Sequence, residues 1–190
     1  MYPFEIHLTT QPLPPAELAR FVAACTYLQA KPLVIELARG VATTQPMLSK
    51  VVRQPNLAAA LAAAAVDADY LRAQLLPPTR LKIETPVAGR HLATAGFAPY
   101  FEWHGKVVYE HPDSLLALCL RHGAHLSANA LTTSPGTRFV TLREYGAQAA
   151  FEARVAGLVA ALPAHWPLLK QENECCLYDS NVALDAGWLS

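Results

Sequence analysis

The sequence predicts an α+β protein of two tandem ferredoxin-like lobes, each a βαββαβ unit with helices on one face of an antiparallel sheet and polar residues on the other. Two observations predict it. The tetrapeptide Phe4-Glu5-Ile6-His7 returns as Phe101-Glu102-Trp103-His104, an offset of 97 residues, and Leu81-Lys82-Ile83-Glu84 returns as Leu169-Lys170-Gln171-Glu172, an offset of 88. Between the members of each pair, strand-like alternation and helix-like spacing follow one another in the same order. The boundaries are residues 1–88 for the first lobe and 97–190 for the second, with the Gly- and Pro-containing stretch 86–99 between them.

The elements follow in order. Phe4, Ile6 and Leu8 alternate with Glu5, His7 and Thr9, the period of a half-buried strand. Leu18, Phe21, Val22, Cys25 and Leu28 recur at helical spacing behind Pro15, which suits a first helical turn. Residues 32–37 read as a second strand, and residues 45–52 as a weaker third because Pro46 cannot donate to a ladder. Asn56 is a natural N-cap for an alanine-rich helix that Pro77 and Pro78 end. Arg80, Lys82 and Glu84 then share one face of a fourth strand.

The second half repeats this order, with strands at 100–109, 124–131, 138–143 and 168–178 and helices at 112–122 and 147–162. In it, Glu102, His104 and Lys106 fall on one strand face, as do His125, Ser127 and Asn129, and Thr141 and Arg143. In a ferredoxin-like unit the first and fourth strands are neighbours, which sets His7 beside Lys82 or Glu84, and His104 beside Lys170 or Glu172.

Composition narrows the classes. Lysine plus arginine and aspartate plus glutamate balance at 15 each, so the basic excess of a duplex-binding protein is missing. The longest apolar run, 57–66, is too short for a bilayer, the N-terminus reads at once as a strand, and the four cysteines form no CxxC pair. A cytoplasmic protein with an anionic small-molecule ligand, without membrane or duplex nucleic acid as partner, and capable of forming a homo-oligomer, is the expectation.

Histidine titrates near neutrality, and a neighbouring carboxylate orients it for acid or base work. His104, His125 and His7 are therefore the catalytic candidates. Glu102, Lys106, Ser127, Asn129, Thr141, Arg143 and Lys82 are the candidates for substrate binding, with Lys106 and Arg143 as anion holders. His7-Leu8-Thr9 and His125-Leu126-Ser127 share the form His-x-Thr/Ser, which distantly resembles the two-histidine phosphoesterases. That resemblance implies hydrolysis of a phosphorylated or nucleotide-like small molecule, with one histidine as base, the other as acid, and Thr9 and Ser127 on the phosphate. By the repeat, however, the partner of His7 is His104, and His104-Gly105-Lys106 has no hydroxyl.

This leading reading needs no cofactor. An alternative uses a divalent metal held by His7, Glu84, His104 and Glu172, similar to the vicinal oxygen chelate enzymes, whose repeat nonetheless lacks the helix before the fourth strand. A non-catalytic ligand-binding or interaction module is a further alternative, since fold does not fix function. Finally, YFE-x-H-x-K-V, AHLS-x-NA, RFVT-x-R and the closing D-x-GW together resemble a bacterial family with no activity attached to it. The resemblance implies that the polar residues of the second half belong together, although an arginine of the family's second motif is Ala128 here. The tail, Asp179-Ser-Asn181 and Asp185-Ala-Gly-Trp188, reads as a clamp on the domain.

Overall fold

The structure is a computed structural model that describes residues 1–108, 112–131, 136–162 and 166–187; Trp188 of the tail motif lies outside them. Its elements are β1 (Tyr2–Thr10), α1 (Pro15–Tyr27), β2 (Lys31–Leu37), β3 (Thr44–Gln54), α2 (Leu57–Ala73), β4 (Pro78–Pro86), β5 (Tyr100–Val108), α3 (Pro112–Arg121), β6 (Ala124–Asn129), β7 (Thr137–Glu144), α4 (Gln148–Ala161) and β8 (Leu168–Asp179). Short 3-10 turns cover Val87–Leu92 and Val182–Asp185.

The expected pair of lobes with open sheets around a cleft is not what forms. All eight strands close into one antiparallel barrel in the order β1-β3-β2-β6-β7-β5-β8-β4. Two seams join the halves: β2 pairs with β6 through Ile35↔Asn129 and Leu37↔Ser127, and β4 pairs with β8 through Lys82↔Asp179 and Glu84↔Cys176. The physical reason is edge pairing. Each half alone would leave two strands with unpaired backbone donors and acceptors, and closure removes every such edge. Asn129 seals one seam directly, its Oδ1 accepting from the amides of Val34 and Leu131 at 3.1 Å each.

Alternation then decides what lies inside. Phe4, Ile6 and Leu8 of β1 and Phe101, Trp103 and Val107 of β5 face outward and are buried beneath the helices. They pack with Phe21 and Cys25 of α1, Leu71 of α2, Leu115 and Cys119 of α3, and Phe151 and Leu158 of α4. Fully burying one such side chain stabilises the fold by roughly 1.5–3 kcal/mol, so the apolar faces are committed to the helices. The polar faces are left to fill the barrel. Helix α2 is capped as expected, Asn56 Oδ1 accepting from the Ala59 amide at 2.9 Å. Gly105 marks a close approach, because a Cβ there would lie 2.1 Å from the Trp103 ring.

One end of the barrel is plugged. The chain after β8 crosses it, the Val41 amide donates to the Ala186 carbonyl at 3.0 Å, and Gly187, at φ +76°, meets Gly40. At the other end the inward residues Glu5, Leu33, Met47, His104, Phe139 and Glu174 are only half-buried.

Candidate functional site in the barrel interior

The inward faces of β1, β4, β5, β7 and β8 build one continuous network of charge. At the plugged end, Arg80 of β4 donates from Nε to Asp179 Oδ1 at 2.9 Å and from Nη1 and Nη2 to Asp185 at 3.0 and 2.9 Å. Arg143 of β7 donates from Nη2 to Asp185 Oδ2 at 2.8 Å and from Nε to Glu102 Oε1 at 2.6 Å, and its guanidinium lies over the Tyr100 ring, 4.3 Å from the centroid. Tyr100 donates to Asp179 at 2.7 Å. Asp185 thus bridges two buried arginines from a turn outside the sheet.

Lys82 sits at the middle. Its ammonium donates to Glu102 Oε2 at 2.7 Å and contacts Glu84 Oε2 at 2.9 Å. Burial disfavours its charge, but Glu102 and Glu84 outweigh burial and hold it protonated. Glu102 is likewise disfavoured by burial, and Arg143 and Lys82 pull its carboxyl well below the ordinary range.

At the open end stand two histidine-carboxylate groups related by the repeat. His104 Nε2 lies 3.4 Å from Glu102 Oε2 and 3.7 Å from Glu174 Oε2, and its Nδ1 is 3.0 Å from the Thr141 hydroxyl. His7 Nε2 lies 3.0 Å from Glu5 Oε1, and its Nδ1 lies 3.3 Å from Glu84 Oε2. Burial alone would discharge His104, yet Glu102, with help from Glu174, raises it to about 9. Burial, and then repulsion from Glu84, raise Glu174 to about 8. Satisfaction is incomplete here. Among the described residues, neither ring nitrogen of His7 and neither carboxylate oxygen of Glu84 makes a well-aligned hydrogen bond, although both side chains are buried.

Of the residues expected from sequence, His7, Lys82, Glu84, Glu102, His104, Thr141 and Arg143 do come together. Arg143, expected to hold an anion, is buried and engaged by Glu102 and Asp185. His125 faces inward beside Thr141 but on the far side of β7 from His104. Burial, then Arg39 and Arg143, push it down to about 4. Ser127 is buried opposite Leu37 and Phe139, Asn129 serves the seam, and Lys106 lies half-buried between Phe139 and Lys170 in the register. Glu172 pairs across the strand with His104, but its side chain is bound to Lys170 at 2.7 Å, and the carboxylate near the imidazole is Glu174, one position further on the same face.

Sequence reasoning missed Glu5 and Glu174 as site residues, although both share strand parity with residues it did choose. Asp185 carried no such signal, since its place depends on the path of the tail.

Among the described residues, the ligand atoms of Glu84, Glu102 and His104 lie within 4.8 Å of one another, close enough to suggest a metal site. The nitrogen of Lys82 already contacts both carboxylates, however, so a cation placed there meets a resident ammonium.

No protein-family model matches this sequence, and no curated protein matches it. Solved structures of similar topology include the regulatory subunit of aspartate kinase from Thermus thermophilus, at 15% identity and TM-score 0.36 over 85% of this chain and 93% of that one. The small subunit of acetolactate synthase from Thermotoga maritima is similar at 8% identity and TM-score 0.29, over 94% and 99%. A heme-binding protein from Thermus thermophilus is similar at 12% identity and TM-score 0.30, over 94% and 92%. At this distance nothing about the interior transfers from them. No helix among the described residues is long and apolar enough to cross a membrane.

Proposed function

We propose that the open end of the barrel binds a small molecule and exchanges a proton with it through His104. The observation that carries this reading is the setting of that imidazole. It is clamped between Glu102 and Glu174, oriented by Thr141, and a quarter exposed, while Glu102 and Arg143 behind it are closed to water. A rigid buried carboxylate behind a reachable histidine is the arrangement that general acid-base chemistry uses. With its affinity for protons raised, His104 acts as the donor at neutral pH, its charge held by Glu102; Glu174 carries the neighbouring proton.

Hydrolysis of a phosphoester is a narrower form of this reading, and it lacks an anion seat. Lys82 and Arg143 are committed to Glu84, Glu102 and Asp185, which leaves Lys106, set between Phe139 and Lys170 in the register, to hold a phosphate. A screen of phosphoesters and of small neutral and amino compounds against the wild type and His104→Asn tests the reading. Conversion by the wild type that falls by at least about 100-fold in the variant is the expected result, and equal conversion by both would remove His104 from the chemistry.

A divalent metal is the second reading, favoured by the convergence of Glu84, Glu102 and His104. It requires displacement of Lys82. Stoichiometric metal in the purified wild type supports it, whereas metal uptake only by Lys82→Met supports the ammonium as the resident cation.

A further inference from the structure

The two walls of the open end differ in kind. On β1, β4 and β8 the inward residues include three acids, Glu5, Glu84 and Glu174, with His7 and Lys82 set among them. On the other strands, β2, β3 and β7 present Leu33, Met47 and Phe139, all half-buried and turned to the same interior by the registers Leu33↔Met47 and Thr9↔Met47 and by Ser127↔Phe139. The nearest cation, Lys82, uses its contacts on Glu102 and on one oxygen of Glu84. The other oxygen, Glu84 Oε1, is fully buried and meets no donor among the described residues, and the adjoining His7 ring, nine-tenths buried, makes no aligned hydrogen bond. A buried carboxylate oxygen without a donor is costly, so Glu84 Oε1 is an acceptor that an incoming donor would satisfy.

Resting on the small-molecule reading above, we propose that the ligand is a small organic ammonium ion, a primary amine with an apolar body. Its NH3+ group is received by Glu84 Oε1, Glu5 and Glu174, and its body lies along Leu33, Met47 and Phe139. Three N–H donors answer three carboxyl groups, the protonated Glu174 accepting through its carbonyl oxygen, and the apolar wall accounts for the rest of the molecule. An anion of the same shape meets the opposite field.

Calorimetric titration of the full chain with phenethylamine, 2-phenylethanol and 3-phenylpropionate separates these cases, because the three share a phenyl body and differ in head group. The amine is expected to bind at least about 10-fold more tightly than the alcohol, and Glu84→Gln and Glu5→Gln are each expected to weaken the amine about 10-fold while leaving the alcohol unchanged. Thermal denaturation of each variant confirms that it is folded, and Met47→Ala, which alters only the apolar wall, is expected to weaken amine and alcohol alike. Absence of amine binding, tighter binding of the carboxylate, or amine binding indifferent to both glutamates overturns the inference. A His104→Asn protein that has lost no proton exchange but still binds the amine would overturn the proton-donor reading alone; the loss of exchange without any amine binding in the wild type would overturn only the amine.

Discussion

The two ends of the barrel are lined by the same strands and dispose of charge in opposite ways. At the plugged end, Arg80, Arg143, Asp179 and Asp185 answer one another donor for acceptor, and Tyr100 completes the set. At the open end, Glu5, Glu84 and Glu174 outnumber the Lys82 ammonium, and among the described residues His7 and Glu84 make no well-aligned hydrogen bond. Buried ions are tolerated when every group is answered, and a surplus of one sign is kept neutral by protons or by a ligand. The plugged end therefore specifies the fold, and the open end is where the proposed ligand would meet unanswered acceptors.

The largest expected effect breaks the plugged end. Arg80→Met leaves Asp179 and Asp185 without their main partner and should cost about 3–5 kcal/mol in urea denaturation; a loss below about 1 kcal/mol would mean that the arginine is not what holds this end. At the open end the sign reverses. The Glu174 carboxyl is raised to about 8, so its contribution to stability is present below its ordinary value and is lost as pH climbs toward 8. Glu174→Gln should thus stabilise the protein at pH 9 by on the order of 2 kcal/mol and do nothing at pH 4.

A smaller test sets two histidines of the barrel interior against each other. His104, raised to about 9, adds stability that is lost as pH rises from its ordinary value to 9; His125, lowered to about 4, adds stability that is lost as pH falls from its ordinary value to 4. Denaturation across pH should show a maximum near pH 6, with His104→Asn flattening the alkaline limb and His125→Asn the acid one. The smallest effect is outside the barrel. Asp69 and Arg72 on α2 form an exposed pair at 2.6 Å, and Arg72→Ala should cost no more than about 0.5 kcal/mol in the same assay.

Much of the local structure was legible in the sequence, because it is written in alternation. The parity of Glu5, His7, Glu102 and His104 placed them on one face, and the expected pairing of first and fourth strands set His7 beside Lys82 or Glu84, where it now faces Lys82. Closure was not legible. It depends on pairs such as Leu37↔Ser127 and Ile83↔Tyr178, far apart in sequence and between ordinary-looking residues. The site was half legible for the same reason. Residues on the predicted strand faces were found, but a cleft invites anions to Arg143 and Lys106, whereas a closed barrel buries Arg143 against Asp185 and alters what the interior attracts. Nothing in the composition of the tail announces that Asp185 will return to join two arginines.

The pairing of a reachable His104 with a buried Glu102 is the centre of this account, and NMR titration of ring-labelled histidine, assigned with His104→Asn, tests it most directly. The predicted result is a His104 ring that titrates near 9 in the wild type and falls toward the ordinary histidine value, about 6.5, in Glu102→Gln. A wild-type ring that titrates at the ordinary value, unmoved by loss of the carboxylate, would contradict it.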